Sequence, residues 1–139
     1  MTTHIQGAIT PQAIALTFGS ISILYGLRGI LTPTLFAREF GFPPDAMSAS
    51  GQPTRTPPNK RDPFVTATGG RTVALGLAVF VLAWETQLKA AGTVLGCCAI
   101  SGLSDTVGCY AAGASGAVVQ HAIGTIVLGC VGFWLRGVA

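Results

Sequence analysis

Long runs of apolar and small residues, parted by short polar stretches, set the pattern along this chain. Four runs stand out: Ala13–Thr32, Pro63–Trp84, Ala90–Ala112 and Ala117–Leu135. A bilayer core takes about 20 helical residues to cross, and each run matches that length. Only Glu85-Thr-Gln-Leu-Lys89 separates the second run from the third, enough for a tight helical hairpin. The pattern predicts an all-α fold, a four-transmembrane-helix bundle forming a single membrane domain over residues 1–139, with spans at 13–32, 63–84, 90–112 and 117–135.

The segment between the first two runs, residues 33–62, reads differently. It holds six prolines (Pro33, Pro43, Pro44, Pro53, Pro57 and Pro58) among charged residues. Repeated prolines deny a continuous helix, so a long proline-rich loop is expected. Its first part, Thr34–Phe40, mixes aromatic and charged residues and predicts a short helix at the membrane interface. A connection of this length is either a lid or a linker. The first run lacks a basic leader and a clear small-residue cleavage site, and is read as retained rather than as a signal peptide.

Composition sharpens the membrane reading. Half of the 139 residues are apolar, 19 more are glycine, and 9% are charged, against about 25% charged in an average soluble domain. A small soluble domain needs more charge than this, and disorder needs far less hydrophobicity. A net charge of +3 spread over eight cations supplies no basic stripe, so no nucleic-acid partner is expected. The four cysteines, Cys97, Cys98, Cys109 and Cys130, all lie inside spans. Their spacing is neither a disulfide framework nor a metal clip, and they read as small packing residues. Glycines at Gly69, Gly70, Gly76, Gly92, Gly96, Gly124, Gly129 and Gly132 mark places where helices approach closely. Trp84 and Trp134 suit interfacial anchors. Arg38, Arg55, Lys60 and Arg61 in the long loop outnumber Lys89 and Arg136 on the other side, which favours a cytosolic long loop.

Candidate chemistry lies in the polar residues that the spans retain. There is one ionisable group per span: Arg28, Arg71, Asp105 and His121. At 1.5 Å per helical residue, all four fall roughly 6–12 Å below the face that carries the long loop, although the spans alternate in direction. An isolated charge in hydrocarbon is costly, whereas a cluster satisfies its members. Asp105 can pair with Arg71 or hold an imidazole N–H of His121, and the latter would orient the ring as a base. Ser101 shares the Asp105 face with Cys98, Gly108 and Cys109, Tyr25 lies one turn before Arg28, and Gly124, Thr125 and Leu128 share the His121 face. Small residues around polar ones leave room for a ligand. Plainer readings stand beside this one: Arg28 snorkelling to the interface, Arg71 as a counter-ion, Asp105 and His121 as hydrogen-bond glue, and Tyr25 simply buried.

The stretch Pro63-Phe-x-x-x-x-Gly-Gly-Arg-x-x-Ala-Leu-Gly76, the run Gly102-Leu-Ser-Asp105, His121 and the early Tyr25-Gly-x-Arg-Gly29 resemble the signature of a family of small four-helix membrane proteins. That family is catalogued as a domain of unknown function, occurs in fungi and bacteria, and often accompanies fungal secondary-metabolite clusters. The chain is also distantly similar to DoxX-like and anthrone-oxygenase-like membrane proteins. The resemblance implies that Arg71, Asp105 and His121 occupy the family's polar positions.

The expectation is a membrane-embedded enzyme of secondary metabolism acting on a lipophilic polyketide or terpenoid-like intermediate. His121 would move the proton, Asp105 would orient it and Arg71 would stabilise the anion. Arg28, Tyr25 and Ser101 would bind substrate. Isomerisation, cyclisation, dehydration or, by the anthrone-oxygenase analogy, cofactor-free oxygenation suits this inventory. No cofactor is expected, since no nucleotide loop is visible, and one histidine with one aspartate makes a weak metal site. The expected location is an integral membrane one, the endoplasmic reticulum in a eukaryote. The alternatives are a non-catalytic module that binds a membrane lipid or protein partner, and an oligomeric transporter, for which no inverted repeat is seen. A second copy of the chain is a further candidate partner.

Overall fold

A computed structural model of the protein describes residues 10–40, 63–111 and 113–138. They form five helices: α1 (Pro11–Leu31), α2 (Pro33–Glu39), α3 (Pro63–Trp84), α4 (Leu88–Ala111) and α5 (Ser115–Val138). No strand occurs among the described residues. The four long helices have 21, 22, 24 and 24 residues and are long and apolar enough to cross a membrane. Their ends fall within three residues of the predicted spans, and α4 and α5 start earlier because polar flanks continue a helix past its apolar run. The proline-rich segment after Phe40, residues 41–62, lies outside the described residues.

Local sequence explains the helix ends. Thr10 caps α1, its hydroxyl accepting from the Ala13 N–H at 3.2 Å, and Pro11 follows at the first helical position. Pro33 cannot donate to the α1 ladder, so the chain breaks at Thr32 and restarts as α2 in a new direction. The α3–α4 turn has the Schellman pattern: Thr86 N–H bonds Ala83 C=O at 3.1 Å, and Gln87 N–H bonds Leu82 C=O at 2.7 Å. Thr86 carries the left-handed conformation (φ 60°) that glycine normally supplies there. The α4–α5 connection repeats the pattern with Gly113 at φ 73°.

The long helices associate as two antiparallel pairs, α1 with α3 and α4 with α5, joined chiefly where α3 meets α4. Glycine permits both pairings. A Cβ on Gly26 would lie 2.6 Å from Gly69 O and Val73 N, and one on Gly92 would lie 2.6 Å from Gly132 O. Between helices in lipid, such close contact replaces the hydrophobic drive available in water. At the end formed by the α3–α4 turn, Ala15, Val79, Ala83, Leu95 and Leu135 make a sealed core. Large apolar side chains cover the outside instead, with Leu24, Ile100 and Phe133 at 66%, 70% and 83% exposure. An exterior of this kind suits hydrocarbon and not water.

At the opposite end a second cluster gathers Phe36, Ala37, Phe40 and Val65, with Tyr25 packed against it. The expected short helix is present as α2, but it does more than lie at an interface. Phe36 and Phe40, four residues apart on one helical face, point inward, with ring centroids 5.3 Å apart.

Candidate functional site

Between the two helix pairs lies a cavity of about 430 Å³, within the roughly 300–1,000 Å³ of small-molecule sites. Its floor is apolar, with Phe18, Val79, Leu95 and Leu128. Its upper wall carries Tyr25, Arg71, Ser101, Asp105, Gln120 and His121. The helical arrangement puts them there. Arg71 lies two turns into α3, Asp105 less than two turns from the end of α4, and His121 in the second turn of α5. Because the helices alternate in direction, all three reach the end where α2 sits.

The partners differ in part from those the sequence offered. Arg71 Nη2 stands 3.8 Å from Asp105 Oδ2, an ion pair longer than a hydrogen bond. Their side chains are 51% and 27% exposed, so a ligand in the cavity can reach both. This pair bridges α3 and α4, the helices through which the two halves meet. Asp105 makes no hydrogen bond to His121 among the described residues. Instead, His121 Nε2 lies 3.4 Å from the backbone carbonyl of Phe40, and the two rings meet edge-on at 4.3 Å. A carbonyl only accepts, so Nε2 is the donor in this contact, and in a neutral ring the lone pair then lies on Nδ1. The Phe40 carbonyl, at the end of α2, also accepts from Cys109 Sγ at 3.4 Å. A backbone group thus does the orienting expected of the carboxylate.

The remaining expected residues divide. Tyr25 and Ser101 line the cavity, and the Tyr25 ring packs 4.9 Å from that of Phe36. Arg28 lies at the same end but does not line the cavity. Its Nη2 donates to Glu39 Oε1 at 2.6 Å, because the break at Pro33 folds α2 back beside the last turn of α1. Of the Asp105 face, Cys98 lines the cavity, Cys109 is buried beneath Phe40, and Gly108 faces outward. All four cysteines are free thiols. No group of three metal-ligating side chains occurs among the described residues.

Phe40 was missed from the sequence, and Thr125 was read there only as a neighbour on the His121 face. Phe40 matters through its carbonyl, which no side-chain pattern reveals. Thr125 lines the cavity one turn below His121, and its hydroxyl is buried without a hydrogen-bond partner among the described residues. It occupies space that a side chain at position 102 would need, since a Cβ on Gly102 would lie 2.5 Å from its Oγ1.

These features define, over the described residues, an all-helical protein with four membrane-length helices and, between them, an open cavity that is polar at one end. A family described as a domain of unknown function (DUF4267) matches residues 19–135, and the chain belongs to that family. No curated protein and no solved structure matches it.

Proposed function

We propose that this protein is a membrane-embedded enzyme that moves a proton within a lipophilic small molecule held in the cavity between its helix pairs. The observation that carries the reading is His121, whose Nε2 faces the Phe40 carbonyl while the ring borders a mostly apolar cavity beside Arg71 and Asp105. The neutral ring takes a proton from an acidic C–H or O–H of the ligand and returns it elsewhere, so isomerisation, cyclisation or loss of water needs no redox partner. Arg71 steadies the oxygen on which negative charge develops. Tyr25 and Ser101 are within the lining to orient the ligand. A polyketide or terpenoid-like intermediate fits an apolar floor with one polar wall. The chain's distant resemblance to DoxX-like and anthrone-oxygenase-like membrane proteins favours that substrate class. An endoplasmic-reticulum membrane with the long loop in the cytosol fits the same reading.

The test compares metabolites of cells producing the protein with those producing His121→Ala. The expected result is loss of one lipophilic product, with turnover down by about 10²–10⁴-fold and the melting temperature in detergent unchanged. Normal turnover by the variant would remove His121 from the chemistry. A second reading, a non-catalytic module binding lipid or a partner protein, draws on the Arg71–Asp105 pair bridging α3 and α4. It predicts that Asp105→Asn lowers thermal stability and alters no metabolite.

A further inference from the structure

We infer that the cavity takes an uncharged lipophile bearing a hydroxyl–carbonyl or phenolic group, and discriminates against a carboxylate on the same skeleton. This rests on the acid–base reading above and names its substrate class. Arg71 by itself would recruit an anion. Asp105 stands 3.8 Å away, however, and these two are the only permanent charges among the described residues that line the cavity. Arg28, the other cation of the α1–α3 pair at this end, is held by Glu39 outside the lining. The cavity is therefore balanced, and a carboxylate would bring an uncompensated charge into a low-dielectric space.

The geometry of the pair adds a positive criterion. At 3.8 Å the two groups attract but do not hydrogen-bond, and neither has another hydrogen-bond partner among the described residues. A guanidinium donor and a carboxylate acceptor thus stand side by side with free capacity. The group that complements them accepts from Arg71 and donates to Asp105 at once. A hydroxyl beside a carbonyl does this, and so does a phenol. A carboxylate offers only acceptors and meets Asp105 as a like charge. The ligand enters neutral, and its proton becomes available to His121 on the same wall.

The probes are 2-naphthol and 2-naphthoate, which share a skeleton and differ in charge at neutral pH. Each is titrated by its own fluorescence into the full-length protein in phosphatidylcholine nanodiscs. Empty nanodiscs and the Gly124→Leu protein serve as blanks. Gly124 lines the cavity and a Cβ there meets no atom within 4 Å, so leucine fills space without displacing a helix. The expected result is saturable naphthol binding at least tenfold tighter than naphthoate binding. Asp105→Asn, which leaves Arg71 uncountered, shifts the preference at least tenfold towards naphthoate. The uncharged double variant Arg71→Gln/Asp105→Asn shifts it back. Naphthoate bound by the unmodified protein as tightly as naphthol, or a folded Asp105→Asn protein with unchanged preference, overturns the charge-balance inference and leaves the acid–base reading standing. Saturable binding of neither probe overturns the inference as well, whereas the acid–base reading falls on normal turnover by His121→Ala. The ratio in the unmodified protein decides the matter even where a variant fails to fold.

Discussion

At the end formed by the α3–α4 turn, Ala15, Ala83 and Leu135 are wholly buried, and the Gly92–Gly132 approach draws α4 and α5 into backbone contact. At the other end α1 and α3 remain in contact through Gly26 and Gly69, but the two helix pairs are parted by a cavity, and α2 packs its aromatic face there. The helices at both ends are apolar and glycine-rich. What differs is whether side chains fill the space between the two helix pairs. The first arrangement seals the helix assembly, and the second leaves volume that polar side chains can border. In lipid, where packing and hydrogen bonds must hold helices together, a protein this small keeps one end tight so that the other can stay open.

Matched glycine substitutions within the α4–α5 pair should break this contrast most sharply. Gly92→Val forces a side chain into the Gly132 carbonyl and is expected to cost about 3 kcal/mol or more by overpacking, read as a large drop in the detergent melting temperature. Gly124→Val, where a Cβ meets nothing within 4 Å, should leave that temperature within a degree or two and reduce turnover. Equal effects on stability would mean that the ends are not built differently. A smaller effect is expected from Leu135→Ala, which empties part of the sealed core. About 2 kcal/mol is expected, the low end of the range for such truncations, because no transfer from water contributes in a membrane. Chemical denaturation in mixed micelles measures it, with cavity binding unaltered. The smallest effect concerns the turn that closes the sealed end. Thr86→Gly removes a β-branched residue from a left-handed conformation and should stabilise the protein by about 1 kcal/mol, whereas Gly113→Thr in the equivalent turn should destabilise it by a similar amount. Both are read from melting temperature.

Much of the fold was legible because membrane helices announce themselves by length and apolarity. The four spans, the short helix before Phe40, and the gathering of Arg28, Arg71, Asp105 and His121 at one end all follow from counting residues along alternating helices. The Arg71–Asp105 pair was legible for the same reason, since equal depth and opposite charge leave few partners. The fate of Arg28 was not. Its partner Glu39 lies eleven residues away, but only the direction taken by the chain after Pro33 decides that the carboxylate returns to α1.

By itself, then, the sequence determined which segments are helical, which membrane-length faces are apolar, and at which depth the ionisable groups lie, since these depend on one-dimensional spacing and the fixed rise of a helix. Tertiary structure alone decided that Phe40, through its carbonyl, takes the place beside His121 that the sequence offered to Asp105, and that Thr125 fills the space Gly102 leaves. It also decided that the space between the helix pairs stays open. Each of these depends on how helices rotate and cross, which is set by packing between surfaces distant in the chain and leaves no periodic trace along it.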